Sequence, residues 1–220
     1  MDFSKLGLAF EFVLLFVALP LGFRFLPMRV SPLPVLWAAA LYCYLVLRAT
    51  PGFNRSKFLN ASPLAGSLPS VLLGFVFAAI LVALGVWIWR PQALFGFVRT
   101  RPLLWVFVML LYPVFSVYPQ GIVYRAFIFE RYRTLFPSVA LLILVSATSF
   151  AFSHFIFRNP WSVAFTFIGG VLFAWRYQST DSLLVSSLEH ALYGCYMFTV
   201  GLGDLFYHGA MPVSNRVVGV

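Results

Sequence analysis

Residues 70–89 read SVLLGFVFAAILVALGVWIW. The run carries no charge. At 1.5 Å rise per residue, a helix of about 20 residues crosses the ~30 Å hydrocarbon core of a bilayer. A second run, from Pro137 to Phe157, has the same character. The whole chain follows suit: 62% of its 220 residues are hydrophobic, 19% aromatic and 10% charged, with a mean hydropathy of +0.94. Soluble domains carry about 25% charged residues, so a soluble globular fold is excluded. Further apolar runs give spans at 7–27, 33–48, 68–89, 103–118, 137–157, 161–177 and 183–203. A span with its connection uses roughly 25–30 residues, so the chain holds seven or eight. The expected fold is all-α: a polytopic transmembrane helical bundle, one integral membrane domain over 1–220.

Thr50 to Pro69 is the clearest break, with Pro51, Gly52, Asn54, Asn60, Pro63 and Gly66. Trp87, Trp89, Trp105, Trp161 and Trp175 fall near proposed span ends, as an interfacial aromatic belt requires. The stretch Pro119–Phe136 stands apart. It follows an apolar span yet contains Gln120, Arg125, Glu130, Arg131 and Arg133. Pro113 and Pro119 bend any continuous helix there. It is either the second half of a long bent helix or a short helix of its own.

The formal net charge is +9. Nucleic acid is not the implied partner, because the basic residues are scattered at the ends of apolar runs: Arg48, Arg55 and Lys57; Arg90, Arg99 and Arg101; Arg131 and Arg133. That is the placement of headgroup anchors, so the lipid bilayer is the expected partner. Lys and Arg divide evenly between the two faces, so no orientation follows. Cys43 and Cys195 both lie in apolar runs and read as small buried side chains. Asp2 and Glu11 argue against a basic signal-peptide start, so the first run is expected to be retained as a span. The ending Val218-Gly219-Val220 carries no prenylation box.

Ionisable side chains at membrane depth cost ~2.5–3.5 kcal/mol or more and are functional candidates by default. Four stand out: Arg125, His154, Glu189 and His190. Arg125 keeps its charge; it either snorkels to the headgroups or has a partner inside. Phe150 and His154 share a helical face, with Ser146 one turn earlier. His154 is either a lone buried histidine bonded to a carbonyl or part of a site. Glu189 and His190 are adjacent, hence about 100° apart, and cannot both aim at one point. His154 and His190 come from different spans, and two such histidines are a start toward a metal, a haem or an activated water. His208 lies past the last span and reads as interfacial. No His-Glu-x-x-His helix, phosphate loop or Gly-x-Ser-x-Gly elbow is present.

With Gln120-Gly121-x-x-x-Arg125, Phe150-x-x-x-His154 and His190-x-x-x-Gly194 in order, the chain resembles the CPBP family. These are membrane-embedded peptidases related to the CAAX prenyl endopeptidase and to bacteriocin-processing proteins. The family motifs are Glu-Glu-x-x-x-Arg, Phe-x-x-x-His and His-x-x-x-Asn. The resemblance covers about 120–205 and is similar to a compact bacterial branch, which implies a multi-pass protein of the bacterial inner membrane. It implies an intramembrane endopeptidase that hydrolyses membrane-tethered or prenylated peptides with an activated water, directly or through a divalent metal such as zinc held by His154 and His190. It further implies catalytic roles for His154, His190 and Arg125, and contact with substrate for Phe150 and Tyr193. The chain departs from the motifs at Gln120, Gly121 and Gly194, where the family has two glutamates and an asparagine. Glu189 is then the candidate for a relocated base. Two other readings stay open: a family member without catalysis that acts as a membrane binding or immunity-type protein, and a bis-histidine haem protein.

Overall fold

The computed structural model describes residues 3–26 and 30–206; His208 and the C-terminal Val218-Gly219-Val220 lie outside them. Helices are the regular structure of the described residues, among which there is no strand. We number the helices α1 (Ser4–Arg24), α2 (Leu33–Ala49), α3 (Leu64–Trp89), α4 (Gly96–Thr100), α5 (Pro102–Arg131), α6 (Val139–Phe157), α7 (Pro160–Thr180) and α8 (Leu183–Val200). Four of them, α1, α3, α5 and α6, are long and apolar enough to cross a membrane by length and composition. The chain is an integral membrane protein.

Helix α5 resolves the choice left at Pro119–Phe136. It runs as one helix of 30 residues, so Arg125 belongs to the same rod as the apolar run before it. The prolines are absorbed by two wide turns, Pro113–Val117 and Ile122–Phe127, which have π-helical hydrogen bonding. Such turns disturb the regular backbone ladder and are common at functional sites. The Tyr124 carbonyl in the second turn accepts a 2.6 Å hydrogen bond from Ser146 Oγ of α6. A π-turn and a serine from another helix thus join the two elements that carry Arg125 and His154.

Local sequence fixes the hairpins that follow. Ser138, Asn159 and Ser182 each sit just before a helix, and their side chains accept from the backbone N–H three residues on, as N-caps do. Pro160 follows its cap at the first helical position. Asp181 makes the α7–α8 turn in the left-handed region. Gly201 ends α8 with φ of 109° against the Ala93 carbonyl, where a Cβ would collide.

Helix α8 packs against α3, α5 and α7, while α6 packs against α7, α5 and α1. The α6–α7 crossing is tight. A Cβ built at Gly170 would stand 2.9 Å from Ala147 Cα and 3.3 Å from its carbonyl oxygen. Small residues permit such backbone approach where lipid offers no competing hydrophobic drive. Gly170→Ala is therefore expected to lower stability by about 1–3 kcal/mol through overpacking, read as an earlier midpoint of detergent-induced unfolding.

Candidate active site

The site forms where α5, α6, α7 and α8 meet. Its centre is Phe150, 1% exposed. His154 lies one turn on, where α6 tightens into a 3-10 turn. Its Nδ1 is 2.8 Å from the Phe150 carbonyl oxygen. A carbonyl only accepts, so Nδ1 carries the proton and Nε2 keeps its lone pair. His190 of α8 stacks on Phe173 of α7, with centroids 4.5 Å apart and planes at 22°. Phe150 stands edge-on to both imidazoles, at 4.6 Å from His154 and 5.3 Å from His190.

Arg125 closes the cluster from α5. Its guanidinium carbon sits 4.5 Å over the Phe150 ring and 5.3 Å over the Phe173 ring. Cation–π contacts of this kind contribute up to ~2 kcal/mol when desolvated. Arg125 is 1% exposed, and its Nε and Nη2 have no hydrogen-bond partner. It does not snorkel to the headgroups. Arg125, Phe150, His154 and His190, far apart in sequence, are thus one cluster.

A cavity of about 290 Å³ opens beside it. His154, His190, Phe150, Phe173, Tyr112, Tyr193 and Gly194 line it, with Leu81 of α3 and Ile168 of α7 at its flank. Leu81 and Ile168 are more than half exposed. In a bilayer that flank faces lipid, so the cavity is reached from the side, between α3 and α7.

Glu189 is elsewhere. Its carboxylate accepts from Arg176 Nε at 2.8 Å and from Nη2 at 3.1 Å. Arg176 Nη1 also donates to Ser70 Oγ of α3 at 3.0 Å. The bidentate pair ties α7, α8 and α3 together and turns Glu189 away from the cavity, while His190 faces into it. The other described acids are placed as follows. Glu11 pairs with Arg131, Asp181 with Lys57, and Asp204 with Arg90. Glu130 does not line the cavity either.

The two motif positions that hold glycine are filled from neighbouring helices. A Cβ at Gly121 would stand 2.8 Å from Ser187 Oγ and 3.0 Å from Leu183 Cδ1, both on α8. A Cβ at Gly194 would stand 2.5 Å from Tyr112 Cε1 and Oη. Sequence reasoning missed Tyr112, Ser187 and Arg176. Tyr112 carries no motif signal of its own. Arg176 did carry one: it lies five residues before Asp181 and Glu189 eight after it, close enough for a helical hairpin to bring the long arginine side chain to the carboxylate.

The cavity walls do not make a zinc site. Zinc sites use three or four protein ligands, and no cluster of three or more His, Cys, Asp or Glu occurs among the described residues. A haem between the two histidines would have to occupy the place of the Phe150 ring.

Residues 100–196, from the end of α4 to the C-terminal third of α8, match the family model described as Type II CAAX prenyl endopeptidase Rce1-like. The match agrees with the resemblance read from the three motifs. No curated protein and no solved structure matches the chain.

Proposed function

We propose, from an Rce1-like segment over residues 100–196, that this chain is an intramembrane endopeptidase acting on membrane-tethered, prenylated peptides. Its setting would be the inner membrane of a bacterium, as a multi-pass protein. The observation that carries the reading is the fixed tautomer of His154. Its Nδ1–H is held by the Phe150 carbonyl, so the Nε2 lone pair is left for a cavity large enough for a peptide bond and part of an apolar tail.

The chemistry follows from these groups. The substrate slides in past Leu81 and Ile168 with its tail in lipid. His154 Nε2 takes a proton from water as the water oxygen bonds to the scissile carbonyl carbon. The C–N bond then breaks, and the proton passes from His154 to the leaving amine. Phe150 and Tyr193 shape the channel. Arg125 sits behind Phe150 and lends positive potential to the developing oxyanion, as preorganised charge does in a dry site. Glu189 acts through its ion pair as a positioning residue for α8, and hence for His190.

The test is cleavage of a farnesylated, fluorescence-quenched peptide by purified protein in liposomes. His154→Ala is expected to lower the rate by about 10²-fold. This is the low end of the usual ~10²–10⁴ for a general base, because no carboxylate orients the ring. A variant that cleaves as fast as wild type would overturn the mechanism. One observation favours a second reading: none of the cavity-lining residues is a carboxylate. A wild type that binds the peptide and leaves it intact would make the chain a binding protein built on the same cavity.

A further inference from the structure

Tyr112 stands at the last regular turn of α5 before the first wide turn, and its ring meets Phe198 edge-to-face at 5.3 Å. Its hydroxyl carbon and oxygen lie over the backbone of Gly194, so close that no side chain fits there. Gly194 is four residues past His190, on the same face of α8. The Tyr112 ring therefore occupies the cavity wall one helical turn from the His190 imidazole.

The hydroxyl differs from those of two nearby tyrosines. Tyr118 donates to the Phe58 carbonyl at 3.0 Å and Tyr196 to the Ala79 carbonyl at 2.7 Å. Tyr112 has no such partner among the described residues, and neither has Tyr193, although both line a largely apolar cavity. A tyrosine hydroxyl in such a place normally finds one. The groups able to donate to a ligand here are few: Tyr112, Tyr193 and His190, since the His154 N–H is held by the Phe150 carbonyl. Thr166 also lines the cavity, but its hydroxyl is bonded to the Ser162 carbonyl at 2.6 Å.

We infer that the Tyr112 hydroxyl is a catalytic hydrogen-bond donor, meeting the substrate carbonyl oxygen and holding it as it becomes an oxyanion, with His190 as the second donor. Residue 194 is glycine because the ring must lie there. The inference rests on the hydrolytic reading given above, and adds a residue from outside all three motifs. It also specifies the ligand: an apolar chain bearing a carbonyl, or a tetrahedral oxyanion in its place.

The decisive variant is Tyr112→Phe, which keeps the ring, its contact with Phe198 and its seat on Gly194. In the liposome assay kcat is expected to fall about 10²-fold, with KM within about threefold and an unchanged unfolding midpoint. A farnesylated phosphinate peptide, which carries a tetrahedral oxyanion and is not hydrolysed, gives an independent readout. Its affinity is expected to fall at least tenfold in Tyr112→Phe. That arm reports on the hydroxyl even if wild type cleaves nothing, in which case the hydrolytic reading fails and the donor role stands. Gly194→Ala displaces the ring and is expected to reduce phosphinate binding as well. Equal phosphinate affinity in Tyr112→Phe and wild type overturns the inference. So does a loss confined to Gly194→Ala, which would make packing the only role of the ring.

Discussion

Arg176→Met is expected to destabilise the protein by about 3–5 kcal/mol. The change leaves Glu189, 1% exposed, without the two hydrogen bonds that neutralise it. A carboxylate stranded among apolar helices has no water to turn to, so the cost is that of an uncompensated buried charge. Ser70 of α3 loses its donor at the same time. The double variant Arg176→Met, Glu189→Leu should recover most of the loss, because replacing both members of a buried pair by apolar groups is often neutral or stabilising. Detergent-induced unfolding of the two single variants and the double variant measures the difference. A single variant as stable as wild type would show that the pair does not hold the three helices together. The prediction also separates two kinds of buried arginine. Arg125 has aromatic rings and no acid, so Arg125→Met should not carry the same penalty.

The second large effect is a gain. Gly121→Glu combined with Ser187→Ala is expected to raise peptide cleavage about 10²–10⁴-fold over wild type, the usual worth of a general base. The tightest obstacle to a side chain at 121 is Ser187 Oγ at 2.8 Å, followed by Leu183 Cδ1 at 3.0 Å. Both are side-chain ends rather than backbone. Ser187 Oγ has no hydrogen-bond partner, so removing it sacrifices little. A carboxylate at 121 would then lie one turn from Arg125 on α5. It would also face the stretch of α8 that carries His190, three residues after Ser187. Gly121→Glu alone must push Ser187 aside and should gain less. The gain should vanish when His154→Ala is added. A double variant that folds with a wild-type unfolding midpoint and shows no gain would place the missing base elsewhere.

The helical membrane architecture was legible because lipid leaves a chain few choices: apolar runs of span length must satisfy their own backbone, and only helices do so within a segment. The motif histidines, Phe150 and Arg125 were legible because four-residue spacing puts side chains on one helical face. What stayed hidden was pairing between helices. Arg131 stands near the end of an apolar run and reads as a headgroup anchor, and Arg176 belongs to no motif, yet each has a carboxylate partner on another helix, Glu11 and Glu189. Position in a span says how deep a charge lies, not which neighbour it faces. Tyr112 was hidden for a related reason. Its place depends on a wide turn at Pro113 and on a glycine 82 residues later, and the sequence pattern registers Pro113 only as a kink. Glu189 and His190 show the opposite case: adjacency alone required them to face different ways, and the structure sends one to Arg176 and the other to the cavity.

The opening between α3 and α7 sets how this protein meets its ligand. A cavity flanked by Leu81 and Ile168 is supplied by lateral diffusion within the bilayer rather than from bulk water. The quantity that governs occupancy is then the mole fraction of ligand in the membrane. Diluting protein and substrate with buffer leaves that fraction unchanged, whereas diluting them with additional lipid lowers it. Saturation curves for this chain therefore belong on a surface-density axis, and an affinity quoted in molar units would vary with the amount of lipid present.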